Sequence, residues 1–104
     1  MSEEVLKKIG EMVEGNKVIL FMKGTKEFPQ CGFSARSVAI LNEVGAEFEA
    51  VNVLEDNSIR EGIKLYGQWP TIPQLYINKE LIGGSDIMME MYENGELKEM
   101  ISKL

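Results

Sequence analysis

The chemistry that this sequence can carry centres on Cys31, the only cysteine in a chain of 104 residues that has no histidine. Cys31 lies between the apolar run Val18–Met22 and a segment of helical character that begins near Gly32. Unpaired N–H groups and the positive end of a helix dipole favour a thiolate at such a position, and Lys23 would add a cation. We therefore predict a partly exposed, reactive thiol; the alternative is a small buried hydrophobe.

The stretch Cys31-Gly32-Phe33-Ser34 has the spacing of a redox CxxC motif with serine in place of the second cysteine. A dithiol site resolves a mixed disulfide with its own second thiol, whereas Cys31 alone must wait for an external thiol. Ser34 cannot act as a resolving group. Pro29 and Gly32 suit an exposed turn better than a core, which favours the reactive interpretation of Cys31.

A second informative stretch is Trp69-Pro70-Thr71-Ile72-Pro73, whose two prolines favour an extended backbone with few donors. A cis Ile72-Pro73 bond would turn the Ile72 backbone toward a cleft, where its N–H and C=O groups could pair with a peptide-like ligand. The alternative is an ordinary trans proline, since cis X-Pro bonds are a small minority.

The third stretch is Gly83-Gly84-Ser85-Asp86, which follows a predicted strand and opens a predicted helix. Free N–H groups at this helix start could bind a carboxylate. The alternative is a plain N-cap, in which Ser85 or Asp86 satisfies the helix end and binds nothing else.

The elements that would position these stretches alternate between helix and strand. Strands are predicted at 18–22, 48–53, 74–77 and 80–82. Helices are predicted from a cap at Ser2 to about 14, over 32–44, from Asn57 or Ser58 to 67, after a cap at Ser85 or Asp86, and around 97–104. The first two strands should be parallel neighbours joined by a right-handed crossover, and Asn78-Lys79 predicts a hairpin. The predicted fold is α/β: one domain over residues 1–104, with a four-stranded mixed sheet and helices on both faces.

Inward-facing residues follow from the same helical spacing. On the second helix we expect Phe33, Val38 and Leu41 to face the core. The methionine-rich helix near the C-terminus should likewise bury its methionines, because methionine at helical spacing is usually core. Its members are Met88, Met89 and Met91.

Composition limits the partners and the compartment. The net charge of −6, without a basic cluster, argues against nucleic acid and against an anionic membrane surface. No apolar run approaches the roughly 20 residues that span a bilayer. One cysteine allows no intramolecular disulfide, so we expect a cytoplasmic protein, although a processed organelle protein with a new initiator Met would look the same.

Four stretches together, in this order and spacing, closely resemble the monothiol CGFS-type glutaredoxins in their single-domain form. They are Phe21-Met22-Lys23-Gly24-Thr25, Pro29-Gln30-Cys31-Gly32-Phe33-Ser34, Trp69-Pro70-Thr71-Ile72-Pro73-Gln74 and Gly83-Gly84-Ser85-Asp86. The resemblance extends over the whole chain from the first helix onward. It implies a thioredoxin fold.

The resemblance also implies a glutathione site. Cys31 matches the active-site cysteine of the family, which is also its cluster ligand. Lys23 and Arg60 match the cations that bind the glycine carboxylate of glutathione. Without the resemblance, both would be read as solvated surface charges.

The rest of the implied site comes from the other two stretches. Ile72 matches the residue whose backbone pairs with the cysteine of glutathione, and Pro73 matches the family's cis-proline. Ser85 and Asp86 match the pair that holds the γ-glutamyl end. Many relatives carry a second cysteine where this chain has Ser85, so any redox role of that cysteine cannot apply here.

Two functions remain open, and whether the protein is an enzyme is uncertain. The favoured one is an iron–sulfur carrier. A [2Fe–2S] cluster commonly takes four thiolates and one chain supplies one, so two chains and two glutathiones would form a cluster-bridged homodimer. The resemblance further implies delivery to apo iron–sulfur proteins and pairing with a BolA-type protein.

The alternative is a glutathione-dependent oxidoreductase that removes glutathione from protein mixed disulfides by a monothiol route, with Cys31 attacking and a second glutathione resolving. A regulatory module that senses iron status through a partner is compatible with the carrier.

Overall fold

The fold is seen in a computed structural model that describes residues 3–104. The helices are α1 Glu3–Glu14, α2 Gly32–Glu43, α3 Asn57–Gly67, α4 Ser85–Glu93 and α5 Glu96–Ser102, and the strands are β1 Val18–Met22, β2 Glu49–Asn52, β3 Gln74–Ile77 and β4 Glu80–Gly83. A short 3₁₀ turn, Val53–Glu55, follows β2. The predicted cap at Ser2 lies outside the described residues.

The strands form one mixed sheet in the order β2-β1-β3-β4. β1 pairs in parallel with β2, as the predicted crossover requires, while β3 is antiparallel to both β1 and β4. Asn78 and Lys79 connect β3 and β4 with positive φ angles of 51° and 74°, the backbone of a tight two-residue hairpin. The predicted mixed four-stranded sheet is confirmed.

β1 is the centre of the fold because all five of its residues are buried. Its side chains alternate between the two faces of the sheet. Val18, Leu20 and Met22 pack in the core under α2, α4 and α5. Ile19 and Phe21 pack in the opposite core, against α1 and α3. The predicted helices on both faces are therefore present, and the carboxyl end of β1 leads directly to the Cys31 loop.

The second strand is shorter than predicted. It spans Glu49–Asn52, because Val53 already begins the 3₁₀ turn. The Asn52 side chain stabilises this change of direction, since its Oδ1 accepts a hydrogen bond from the Leu54 N–H (3.0 Å). Phe48, placed in the strand by the prediction, precedes it and packs into the core.

The prediction that Phe33 faces the core is wrong. Phe33 is 56% exposed, whereas Val38 and Leu41 are buried as expected. In the first turn of α2 the buried position is Ser34, and Phe33 faces a surface pocket instead. Of the three methionines of α4, Met88 is fully buried and the other two pack partly buried against the same core.

The predicted cap of α4 is also wrong. Gly84, not Ser85 or Asp86, occupies the N-cap position, and no side chain caps this helix end. A Cβ on Gly84 would lie 3.2 Å from the Pro73 carbonyl oxygen, so the helix start is pressed against the segment before β3. Ser85 and Asp86, which follow Gly84, line the same pocket as Ile72 and Pro73. Across residues 3–104, no helix combines the length and apolar character required to span a membrane.

Candidate glutathione site beside Cys31

Cys31 is the N-cap residue of α2. Its backbone is extended (φ −151°), and its Sγ accepts a hydrogen bond from the Ser34 N–H at 3.4 Å. The sulfur is thus the N-cap hydrogen-bond acceptor, as the side-chain oxygen of serine or aspartate is at other helix starts. The thiol is partly exposed. The predicted position and exposure of Cys31 are both confirmed.

Ser34 completes the environment of the thiol. Its side chain is buried, and its Oγ accepts a hydrogen bond from the Lys23 backbone N–H at 3.0 Å. Because this bond uses the oxygen as an acceptor, the hydroxyl proton remains available as a donor. The Cys31 Sγ lies 3.5 Å from this Oγ. In this arrangement the Ser34 hydroxyl can donate to a thiolate.

The balance of these contacts favours the thiolate. Burial raises the pKa of Cys31, but hydrogen bonds from the Ser34 hydroxyl and from the backbone N–H groups of Ser34 and Phe33 lower it, as does the charge of Lys23. The lowering contributions prevail, and the pKa lies below the ordinary value of a cysteine. Cys31 is therefore suited both to nucleophilic attack and to binding a soft metal.

The loop before Cys31 is held by its own backbone. The Gln30 N–H donates to the Lys23 carbonyl (2.8 Å), and the Thr25 N–H donates to the Phe28 carbonyl (3.2 Å). Gly24 has a φ of +93°, and a Cβ there would lie 2.5 Å from two backbone atoms of the opposite strand of this loop. The chain thus needs glycine at position 24 to close the loop and present Cys31.

A pocket of about 450 Å³ lies next to the thiol. Its lining includes every predicted ligand-binding residue: Lys23, Arg60, Ile72, Ser85 and Asp86. Cys31 itself is not among the lining residues, although Lys23 and Phe33, which act on its pKa, are. The structure therefore brings the five predicted residues together around one cavity and places the thiol beside it.

The charges of the pocket are unevenly distributed. Lys23, Arg60 and Lys64 line it as cations, while Asp86 is the lining carboxylate among the residues described. Asp86 is 90% exposed, and its Oδ1 lies 3.6 Å from the guanidinium of Arg36. In a chain with a net charge of −6, such a local excess of positive charge attracts an anionic ligand.

The segment 69–73 forms the wall of the pocket between α3 and α4. The Ile72-Pro73 peptide bond is cis, as predicted. Two buried polar atoms of the lining residues, Trp69 Nε1 and Ser85 Oγ, have no hydrogen-bond partner within residues 3–104. Unpartnered polar atoms are rare in folded proteins, and both belong to residues that line the pocket.

Comparison with known proteins decides the family. The Glutaredoxin family model matches residues 18–82. An uncharacterized ycf64-like monothiol glutaredoxin from Synechocystis sp. is 57% identical over 101 residues, which cover 97% of this chain and 94% of that protein. The chain belongs to the monothiol glutaredoxins.

Solved structures agree with this membership. The solution structure of reduced apo GrxS14 from poplar superposes on this monothiol glutaredoxin with a TM-score of 0.81 at 52% identity, covering 93% of this chain and 89% of that one. The crystal structure of a buckwheat glutaredoxin–glutathione complex has a TM-score of 0.85 at 24% identity, covering 99% and 96%, and shares the fold. The predicted thioredoxin-type fold is thus confirmed.

Three residues of the glutaredoxin site were not predicted from the sequence. Lys64 lies one helical turn after Arg60, and this i, i+4 spacing could have placed it on the same face. Ser34 stands three residues after the N-cap, where a side chain can turn back toward the cap. Phe33 carried no such signal, because its apolar character is typical of a core residue.

Proposed function

We propose that this monothiol glutaredoxin binds glutathione in the pocket and carries a [2Fe–2S] cluster on Cys31. The observation that supports the proposal most is the position of a single thiol of lowered pKa beside a cavity lined by cations. A partly exposed thiolate next to a site for a second, soluble thiol is the arrangement that a shared metal cluster requires.

The pocket suits the charges of glutathione. The tripeptide carries two carboxylates and one ammonium, and the lining offers Lys23 and Arg60, the start of α4 at Ser85, and Asp86. Charged hydrogen bonds and a helix N-terminus are suitable partners for carboxylates. The Ile72 backbone, next to the cis bond, is the proposed partner for the middle of the tripeptide.

The cluster is cargo whose ligands must come from more than one molecule. A [2Fe–2S] cluster is commonly held by four thiolates, and this chain has one cysteine and no histidine. Two chains and two glutathiones supply the set. We therefore propose a homodimer that forms around the cluster and separates when the cluster leaves.

Transfer follows from the same stoichiometry. A recipient apo iron–sulfur protein can replace the two glutathione thiols first, because these are the ligands not attached to a protein chain. A BolA-type partner is the proposed hetero-oligomeric alternative, since it could supply the histidine that this chain lacks. We retain the cytoplasm as the proposed compartment.

Oxidoreductase activity is a second candidate, favoured by the lowered pKa of Cys31. The thiolate would attack the glutathione sulfur of a protein mixed disulfide, forming the Cys31–glutathione disulfide and releasing the protein thiolate. A second glutathione thiolate would then attack the glutathione sulfur of that disulfide, releasing Cys31 as thiolate and glutathione disulfide as product. Neither of these two steps requires a second cysteine in the protein.

Reconstitution with iron, sulfide and glutathione tests the proposal. Wild type should give a coloured species with visible absorption, and Cys31→Ser should stay colourless. A stable coloured species in the serine variant would overturn the assignment of the cluster to Cys31. A glutathione-coupled assay separates the second candidate: sustained turnover by a protein that forms no cluster would favour the oxidoreductase.

A further inference from the structure

Gln74 is a buried polar residue that does not line the proposed glutathione pocket. It is the first residue of β3, directly after Pro73, and its side chain is completely buried. A buried amide costs free energy unless its donors and its acceptor are hydrogen-bonded. The partners of this amide therefore show what it holds in place.

All three hydrogen bonds of the Gln74 side chain are defined. Its Nε2 donates to the carbonyl oxygens of Trp69 (3.0 Å) and Thr71 (3.2 Å), and its Oε1 accepts from the Tyr76 hydroxyl (2.9 Å). Burial, and then the neighbouring Tyr66, raise the pKa of Tyr76, so its hydroxyl remains a protonated donor. This fixes the orientation of the amide, with both protons directed at the 69–73 segment.

The segment that receives these two protons is the wall of the pocket. Trp69, Thr71 and the residues beside them line the cavity. Two prolines in the segment remove backbone donors. The Trp69 N–H donates to the Lys64 carbonyl (3.1 Å) and so ties the start of the wall to the end of α3. The Gln74 amide holds the middle of the wall from inside the protein.

The network also contacts the end of α3, the helix that carries Arg60 and Lys64. A Cβ on Gly67 would lie 2.3 Å from the Tyr76 hydroxyl and 2.8 Å from Gln74 Oε1. The helix backbone thus lies directly against the two side chains. Displacement of the amide would therefore loosen the wall at a point where α3 and the 69–73 segment meet.

We propose that Gln74 is a positioning residue of the glutathione site: it holds the 69–73 wall in the shape that presents the Ile72 backbone to the ligand. The inference rests on the proposed function for the identity of the ligand. The role of Gln74 in holding the wall is independent of the ligand's identity, because both hydrogen bonds, to Trp69 and to Thr71, are made within the chain.

Gln74→Met tests this with Tyr76→Phe as its matched control. Both changes remove the Tyr76–Gln74 hydrogen bond, but only Gln74→Met releases the wall. We expect Gln74→Met to weaken glutathione binding, measured by calorimetry well below the melting temperature, by about ten-fold or more. Tyr76→Phe should change the affinity by less than about two-fold, even though it also loses a buried hydrogen bond and melts earlier.

Trp69 provides a second readout, since it is the only tryptophan in the chain. Acrylamide should quench its fluorescence more strongly in Gln74→Met than in wild type or Tyr76→Phe. Wild-type affinity and quenching in a folded Gln74→Met protein would overturn the inference. If that variant does not fold, Gln74→Asn, one methylene too short to reach both carbonyls, must show the same two changes. If wild type itself binds no glutathione, the proposed function fails, while the quenching still decides whether Gln74 holds the wall.

Discussion

The two ends of the pocket differ in how completely the protein satisfies its own polar groups. At the thiol end, the Cys31 sulfur, the Ser34 hydroxyl and the Lys23 backbone form one connected set of hydrogen bonds. At the α4 end, Gly84 is an N-cap without a side-chain bond, and Ser85 Oγ has no partner within residues 3–104. Asp86 there is exposed and makes a loose ion pair with Arg36.

The two ends therefore have different roles in the proposed function. The thiolate must be ready before any ligand arrives, so the chain itself supplies its hydrogen bonds. In the proposed function the ligand contacts the other end, because the N–H groups at the start of α4 have no side-chain cap. Variants of the ligand end should therefore change affinity, and variants of the thiol end should change the pKa and the reactivity of Cys31.

The largest effect is expected at Arg60. Charged hydrogen bonds of partly exposed groups contribute on the order of 1–3 kcal/mol, so Arg60→Ala should weaken glutathione binding by roughly ten- to a hundred-fold. Calorimetric titration measures this directly, and cluster-loss half-life at several glutathione concentrations gives a second measure. Lys7→Ala, an exposed cation of α1, is the control, and both variants should melt near wild type. Equal behaviour of the two variants would show that the pocket is not the glutathione site.

Ser34→Ala changes the thiol end of the pocket and should lower the reactivity of Cys31. It removes the hydroxyl that faces the Cys31 sulfur and helps to lower the pKa of this thiol, so the pKa of Cys31 should rise. The midpoint of iodoacetamide alkylation against pH should shift upward accordingly, with slower reaction at neutral pH. Ser37→Ala is a matched control, because Ser37 is also buried but bonds to the Phe33 carbonyl (2.9 Å). An unchanged midpoint in Ser34→Ala would contradict the role of this hydroxyl.

The smallest effect is expected at Arg36. In the proposed function Asp86 binds the ligand ammonium, so its ion pair with Arg36 would compete with that contact. Exposed ion pairs contribute about 0–1 kcal/mol. Arg36→Ala should therefore tighten glutathione binding by less than about five-fold, and high salt should reduce the difference from wild type. Lys98→Ala, exposed on α5, serves as the control. A marked loss of affinity in Arg36→Ala would mean that Arg36 binds a ligand carboxylate itself.

The sequence predicted those parts of the molecule that depend on residue type and local order. The position of Cys31 at a helix start, the buried strand Val18–Met22 and the Asn78-Lys79 hairpin all follow from a few neighbouring residues. The cis bond at Pro73 was predicted chiefly from the family resemblance, because proline chemistry alone favours trans.

The remaining features depend on contacts between distant segments. Gly84 caps α4 because the Pro73 carbonyl leaves little room, which no local pattern reveals. Phe33 is exposed because it lies in the first turn of α2, which borders the pocket. The role of Gln74 requires two carbonyls of the preceding segment to lie on the same side of a buried amide, and only the folded chain defines that geometry.

Native mass spectrometry of the reconstituted protein tests the central claim most directly. We expect one species with two chains, one [2Fe–2S] cluster and two glutathiones, because each chain supplies a single thiolate. Without glutathione in the reconstitution, this species should be absent. A cluster retained by a single chain, or a cluster dimer that contains no glutathione, would contradict the proposed cluster-bridged homodimer.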